Sequence, residues 1–122
     1  MKILVTGSRK YSDYAKVKSV IIDALGENID EAIIVHGGAR GADALAGQVA
    51  FQRGIEVRVY PAKWDYYGKA AGPKRNQEML DKEHTPENPI EMVLAFPLKG
   101  SIGTWDMVRR AEAAGIPVKV IE

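Results

Sequence analysis

The chain contains no cysteine, and this absence excludes disulfide bonds, thiol nucleophiles and metal sites built on thiolates. It also lacks a large charge of either sign, since 17 basic and 16 acidic residues leave a formal net charge of +1. Such a balance argues against a general polyanion-binding protein, although basic residues gathered on one face would still attract phosphates. No apolar run approaches membrane-spanning length, and the apolar start of the chain is too short for a signal peptide. We therefore expect a cytoplasmic protein with no membrane partner.

Two common phosphate-binding fingerprints are missing as well. No Gly-x-x-x-x-Gly-Lys-Ser/Thr segment occurs, which argues against a P-loop NTPase. The first glycine turn, Thr6-Gly7-Ser8-Arg9-Lys10, is not Gly-x-Gly-x-x-Gly, which argues against an NAD-dependent dehydrogenase. We predict neither a cofactor nor a metal site.

What the sequence does contain is a regular alternation of strand and helix patterns over 122 residues, which predicts a single domain spanning residues 1–122. Apolar runs bounded by turn signals predict strands at 2–6, 32–35, 55–60, 90–96 and 118–121. The third run alternates apolar and charged residues, and we expect Ile55, Val57 and Val59 to face inward.

Four helices are predicted between these strands. The first begins after Ser12 or Asp13, and the second ends at Gly54. The third begins at Pro73 and gives way to an exposed turn at 83–89, and the fourth places Ala114 among its inward residues. Strict alternation favours an α/β fold, with a parallel sheet covered by helices on both faces. We predict a Rossmann-like five-stranded sheet of order 3-2-1-4-5, with the flavodoxin-like order 2-1-3-4-5 as the alternative.

Glycine-rich turns follow the first, second and fourth strands, at Gly7, at Gly37, Gly38 and Gly41, and at Gly100 and Gly103. In a parallel sheet all strand-to-helix turns lie at the carboxyl edge, and in the order 3-2-1-4-5 these three strands are neighbours. The turns would then line one crevice, with free helix amides that favour an anion. The alternative is that the glycines only make compact turns.

Polar residues in and after these turns are candidate ligand contacts, each with a structural alternative. Ser8 and Arg9 follow the first strand, and Thr104 is placed either to bind a phosphate or to cap a helix. Asp43 is placed either to accept a ribose hydroxyl or to hold the turn by bonding backbone amides. His36 is either a ligand contact or a hydrogen-bonded structural residue.

Arg75 and Asn76 add two more candidates. Arg75 falls in the first turn of a predicted helix, where the dipole disfavours a cation, so either a buried acid or a bound anion should accompany it. The excursion at 61–72 holds Trp64, Tyr66 and Tyr67, which would stack on a nucleobase, form a loop core or lie at the interface of a homodimer or larger homo-oligomer.

The segments at 5–9, 36–43, 64–76 and 96–106 together resemble the SLOG superfamily, and most of all its branch related to YspA and YpsA. The resemblance implies a Rossmann-like fold and a pocket for a nucleotide or nucleotide-derived ligand. Relatives in the superfamily include the LOG phosphoribohydrolases and the DNA-processing protein DprA. The LOG motif Pro-Gly-Gly-x-Gly-Thr-x-x-Glu carries the Glu needed for N-glycosidic cleavage.

This sequence departs from the LOG motif at that Glu. Met107 occupies the corresponding position, and Asp106 lies one residue earlier, where its side chain points about 100° away around a helix. We therefore predict a protein that binds a nucleotide or nucleotide derivative, with no catalytic residue assigned. The alternative is a hydrolase of N-glycosidic or phosphoester bonds that draws on Asp43, Asp65 or Asp106. Single-stranded DNA binding is a weaker alternative because the net charge is close to zero.

Overall fold

A parallel five-stranded sheet organises the chain, as shown by a computed structural model that describes residues 1–27 and 29–122. The strands are β1 (Lys2–Gly7), β2 (Ile33–His36), β3 (Glu56–Val59), β4 (Met92–Phe96) and β5 (Val118–Val120). Their order is β3-β2-β1-β4-β5 and every neighbouring pair is parallel, which confirms the predicted topology.

Helices cover both faces of the sheet. They are α1 (Tyr14–Leu25), α2 (Ala42–Arg53), a short α3 (Trp64–Tyr67), α4 (Ala71–Glu83) and α5 (Ile102–Ala113), with 3₁₀ turns at Ile29–Glu31 and Gly68–Ala70. One apolar core joins α1 and α2 to side chains such as Ile3, Val5 and Phe96, and the other joins α4 and α5 to Leu4 and Val93. Because β1 and β4 are covered on both sides, their sequences are almost wholly apolar.

The helix ends follow the predicted signals in most places. Asp13 is the N-cap of α1, and its side chain accepts a hydrogen bond from the Lys16 amide at 3.1 Å. Gly54 ends α2 in the left-handed conformation, with φ +66°. An acidic side chain suits an N-cap because it accepts from a free amide, and glycine suits a helix end because it adopts a positive φ without strain.

Four local predictions are wrong. Val57 and Val59 are 40% and 47% exposed, because β3 is an edge strand that the helices only partly cover. The third long helix begins at Ala71 rather than at Pro73, since α3 and a 3₁₀ turn occupy most of the excursion before it. Ala114 is exposed and caps α5 instead of packing inward.

The fourth wrong prediction concerns Glu83, which is not part of an exposed turn. It is the last residue of α4 and is buried. Lys2 and Arg58 contact its Oε1 at 3.0 Å and 2.8 Å, and the hydroxyl of Tyr60 donates to its Oε2. The positive charges of Lys2 and Arg58 compensate the buried negative charge of Glu83. The polar composition of residues 83–89 gave no indication of these distant partners.

Two glycines allow the first two turns to pack against each other. A Cβ on Gly7 would overlap the side chain of Ala42, the first residue of α2. A Cβ on Gly41 would overlap the carbonyl oxygen of Ser8, and Gly41 also has φ +74°. The Ala42 amide donates to the Ser8 carbonyl at 3.1 Å, so the start of α2 is joined directly to the turn after β1. Among the described residues, no helix is long and apolar enough to cross a membrane.

Candidate functional site

A cleft of about 500 Å³ lies at the carboxyl edge of the sheet, where β1 and β4 end and α2, α4 and α5 begin. This volume is in the range of small-molecule sites. Nine of the thirteen predicted site residues line it: Gly7, Ser8, Arg9, Asp43, Arg75, Asn76, Gly100, Gly103 and Thr104. The order of the strands brings these residues together from turns far apart in the sequence.

The cleft is strongly basic although the whole chain is nearly neutral. Its lining contains six cationic side chains, those of Arg9, Lys10, Lys69, Arg75, Lys99 and Arg109. Only two carboxylates line it, those of Asp43 and Asp106. Low-dielectric walls that carry charge of one sign focus the field on the space between them. The cleft therefore attracts anions.

The N-terminus of α5 opens on this cleft without a side-chain cap. Ser101 is the N-cap residue, but its hydroxyl accepts a hydrogen bond from the Leu98 amide at 2.9 Å rather than from α5. Within residues 1–27 and 29–122, the amides of Gly103 and Thr104 find no hydrogen-bond acceptor. The Thr104 hydroxyl has no partner there either, although the residue is only 3% exposed. Two amides and a hydroxyl at a helix N-terminus form a suitable site for a phosphate.

Asp43 lies opposite, in the first turn of α2. Its Oδ2 accepts hydrogen bonds from the amides of Gly37 and Ala39, at 3.1 Å and 3.3 Å, and so holds the turn after β2. Burial raises the pKa of this carboxyl to about 6, although the two amides and the nearby charges of Arg75 and Arg9 act in the opposite direction. The side chain is thus a buried acid that exchanges its proton close to neutral pH.

Arg75 links α4 to the turn after β2. Its Nη1 donates to the carbonyls of Gly37 and Tyr60, at 2.6 Å and 3.2 Å, and its Nε donates to Asn76 Oδ1 at 3.0 Å. Burial and the charge of Arg9 lower the pKa of Arg75, and the charge of Asp43 opposes them. Carbonyl groups and the carboxylate of Asp43 therefore offset the unfavourable position of this cation near the N-terminus of α4. Arg75 also lines the cleft.

Four predicted contacts lie outside the lining of the cleft: His36, Gly37, Gly38 and Gly41. His36 is buried, and its Nδ1 accepts a hydrogen bond from the Gly38 amide at 3.0 Å. Burial and the charge of Arg75 lower its pKa, which keeps the ring neutral and Nδ1 available as an acceptor. A Cβ on Gly37 would overlap the guanidinium of Arg75. These residues lie behind the wall of the cleft, and Gly37 contacts both Asp43 and Arg75.

Asn76 and Asp106 join α4 to the start of α5. Asn76 Nδ2 donates to Asp106 Oδ2 at 3.0 Å, and Arg110 Nε donates to the same oxygen at 2.8 Å. Burial alone would raise the pKa of Asp106, but the hydrogen bonds from Arg110 and Asn76 keep it below its usual value. Met107 is fully buried in the core beneath α4 and α5. Asp106 is consequently a paired structural carboxylate, and the residue at the LOG glutamate position does not reach the cleft.

Of the three aromatic residues in the excursion, only Trp64 lines the cleft. The Arg9 guanidinium stacks on the ring of Trp64, 4.8 Å from its centroid, and both side chains line the cleft. Tyr66 and Tyr67 contact each other edge to face and line a separate depression formed by residues 62–67. Tyr66 is 80% exposed, so the three aromatics form no loop core. The predicted homodimer through this loop stays a prediction.

Several residues that line the cleft were not identified from the sequence, among them Thr6, Lys99 and Arg109. Lys99 directly precedes Gly100, and a cation beside a glycine turn was a usable signal. Arg109 lies further along α5, and the interactions that place it near the cleft are tertiary. Arg40, the cation in the turn after β2, is exposed and lies outside the lining. Among the described residues, no group of three or more His, Asp or Glu side chains could hold a metal ion.

Two comparisons relate this sequence to known proteins. A sequence profile of the family described as the YspA, cpYpsA-related SLOG family (YAcAr) matches residues 1–67, which is more than half of the chain. The Gene 61 protein of Mycobacterium phage D29 is 39% identical over 122 residues, and the alignment covers 96% of this chain and 93% of the phage protein.

A third comparison concerns the fold. DNA processing protein A (DprA) from Streptococcus pneumoniae superposes with a TM-score of 0.73 and 24% sequence identity, over 99% of this chain. The superposition covers 50% of the DprA chain, so this chain spans about half of that protein. At this level of identity the likeness extends to the fold alone.

Proposed function

This chain belongs to the YspA, cpYpsA-related SLOG family, and we propose that it binds a nucleotide or a nucleotide derivative in the cleft at the carboxyl edge of its sheet. The observation that carries the proposal is that six cations line the cleft on which the uncapped N-terminus of α5 opens. A phosphate placed there satisfies free amides and neutralises the positive charge that lines the cleft at the same time.

The phosphate is proposed to lie against Gly103 and Thr104, with Arg9, Lys99 and Arg109 around it. Backbone amides fix its position, and the cations contribute long-range attraction. Gly7, Ser8 and Gly100 lie in turns that let a ligand approach the backbone closely. Arg75 and Asn76 complete the wall on the α4 side.

Trp64 is proposed to stack on the base of the bound nucleotide. The Arg9 guanidinium covers its ring in the structure, and a planar cation on an indole occupies the same position as a stacked base. A bound nucleotide would displace Arg9 from the ring and bring its guanidinium towards the phosphate. His36, Gly37, Gly38 and Gly41 act indirectly in this proposal, by holding the turn that carries Asp43.

Native mass spectrometry of the purified protein, followed by calorimetric titration with ribonucleoside mono- and diphosphates, tests the proposal. Thr104→Val removes the hydroxyl without changing the shape of the side chain, and we expect it to weaken binding by about tenfold to a hundredfold because a charge-assisted hydrogen bond is lost. Thermal stability should not fall, since this hydroxyl has no partner among the described residues.

The matched control is Thr85→Val, which makes the same chemical change in the turn after α4, at the opposite edge of the sheet. Thr85 Oγ1 accepts a hydrogen bond from the Asn88 amide and is remote from the cleft. This variant should keep the affinity of the unmodified protein. If no nucleotide bound, or if both variants bound equally well, the proposed phosphate site would be refuted.

Cleavage of the bound ligand is the alternative that the cleft allows through Asp43. This carboxyl is buried and has a pKa of about 6, which suits a group that exchanges a proton near neutral pH. Incubation of nucleotides at high protein concentration, followed by chromatography, separates the two functions. A product that disappears in Asp43→Asn would support cleavage, and unchanged nucleotide would support binding without reaction.

Single-stranded nucleic acid is a second candidate ligand, favoured by the exposed aromatic and basic segment beside the cleft. Lys74 lies over the ring of Tyr67, 4.9 Å from its centroid, and Tyr66 and Trp64 are exposed nearby. Alternating aromatic and basic side chains are typical of single-strand binding. Salt-dependent binding of a deoxyribo-oligonucleotide, weakened by Tyr66→Ala, would support this candidate.

A further inference from the structure

The unused oxygen of Asp43 identifies a second contact point in the cleft. Asp43 is 5% exposed, and both of its hydrogen bonds end on Oδ2. Within residues 1–27 and 29–122, Oδ1 has no hydrogen-bond donor and forms no ion pair with Arg75 or Arg9. No side-chain oxygen in that part of the chain is both fully buried and unpaired, and Asp43 lines the cleft. Its Oδ1 therefore opens on the space that a ligand would fill.

An ionised carboxylate oxygen is an acceptor only, and this restricts what a ligand can place beside it. A phosphate there would meet a negative charge, so the phosphate belongs at the other side of the cleft, with Gly103 and Thr104. The group that faces Asp43 has to be a neutral or cationic donor. A hydroxyl group meets this requirement, and a hydrogen atom or an ether oxygen does not.

The strand order indicates the scale of the separation between the two contact points. Asp43 follows β2 and Thr104 follows β4, with β1 between them. Two strand spacings separate the carboxyl ends of β2 and β4 by roughly 10 Å. A sugar phosphate with one hydrogen bond at each end spans a similar distance. The base of a nucleotide lies further from the phosphate than the sugar does, so the sugar is the group expected to face Asp43.

On the premise of the proposed function, we propose that Asp43 Oδ1 accepts a hydrogen bond from a ribose hydroxyl, so that the cleft selects ribonucleotides over deoxyribonucleotides. The buried oxygen would otherwise lose its hydration without compensation each time a ligand bound. The cleft thus combines a phosphate site on α5 with a sugar site on α2.

Calorimetric titration with AMP, GMP, CMP and UMP and with their 2′-deoxy and 3′-deoxy analogues tests this selection. At one of the two positions, loss of the hydroxyl should weaken binding by about tenfold or more. A fluorine at that position accepts but does not donate, so the fluoro analogue should bind more weakly than the deoxy analogue.

The variant Asp43→Asn distinguishes the effect of the carboxylate charge from the effect of side-chain shape, because asparagine has nearly the same shape but no charge. Its amide oxygen can still accept from Gly37 and Ala39, which turns the NH₂ group towards the cleft. We expect the penalty of the fluoro analogue to disappear and the preference for the hydroxyl to shrink several-fold. Asp23→Asn, on the exposed surface of α1 and outside the cleft, should leave both preferences unchanged.

The outcomes separate this inference from the proposed function. Equal affinity for the hydroxyl and deoxy analogues at both positions would overturn the role of Asp43, while the phosphate site would stand. Absence of binding by all mononucleotides would overturn both. Preference for the deoxyribonucleotides would also overturn the inference and would favour the nucleic-acid candidate.

Discussion

Among the single residues that line the cleft, Asp43 lowers the stability of the folded protein. Burial raises the pKa of its carboxyl from 3.8 to about 6, so near neutral pH the folded protein carries a charge in a poorly hydrated position. The pKa difference corresponds to about 3 kcal/mol of lost stability once the pH is well above 6. A residue that destabilises the fold while it lines a cleft is typical of a functional position.

The pH dependence of unfolding tests this cost. Between pH 4 and pH 6 the folded protein binds a proton at Asp43 that the unfolded chain has released, so this residue lowers stability as the pH rises through that window. Asp43→Asn removes the effect. The stabilisation that the variant gains should be about 1 kcal/mol larger at pH 8 than at pH 5, as measured by urea denaturation.

The pKa of His36 is lowered in the folded protein, so this residue makes stability rise with pH, opposite to the effect of Asp43. Because His36 is present in both the unmodified protein and Asp43→Asn, its contribution largely cancels when their stabilities are subtracted. A stabilisation that was the same at both pH values would show that Asp43 titrates normally in the folded protein.

At the scale of secondary structure, α4 carries two different polar networks at its two ends. Near its N-terminus, Arg75 and Asn76 connect it to the turn after β2 and to the start of α5. At its C-terminus, Glu83 binds Lys2 on β1 and Arg58 on β3. The helix is therefore fixed to three strands or their turns, and this fixes the wall of the cleft.

The variant Glu83→Gln tests the anchoring of α4. It leaves the buried ammonium of Lys2 without its counter-charge, and we expect a loss of roughly 3 kcal/mol in the free energy of unfolding at pH 7. Burial alone would raise the pKa of Glu83, but its hydrogen bonds with Tyr60, Lys2 and Arg58 lower it, so this contribution is present above about pH 4.5 and is lost as the pH falls.

The matched control for this variant is Glu87→Gln, which neutralises an exposed carboxylate in the following turn and should change stability by less than about 0.5 kcal/mol. Chemical denaturation of both variants measures the difference. Equal stability of Glu83→Gln and the unmodified protein would contradict the anchoring role of the cluster.

At the scale of the whole molecule, the sheet order and the convergence of the turns could be predicted from the sequence. The apolar run that ends at Phe96 and the stop glycine at Gly54 are local signals, and parallel topology restricts how such elements connect. The turns after β1, β2 and β4 then had to meet at one edge, because neighbouring parallel strands end together.

The rest could not be predicted because it depends on contacts between distant segments. Glu83 looks like a solvent-exposed turn residue until Lys2, 81 positions earlier, is placed beside it. The glycines at 37, 38 and 41 carry the strongest local phosphate signal, yet the Arg75 guanidinium and the Ser8 carbonyl cover that turn. The N-terminus of α5, with a weaker local signal, is the one left open.

Nucleotide binding in the cleft is tested most directly by an NMR titration of the ¹⁵N-labelled protein with ribonucleoside monophosphates, because it reports on each amide separately. If the cleft binds the nucleotide, the amides of Gly7, Gly103 and Thr104 and the indole N–H of Trp64 should shift together with one binding constant. Amides at the opposite edge, such as that of Thr85, should remain unchanged. Shifts confined to other surfaces, or none with any nucleotide, would contradict the account.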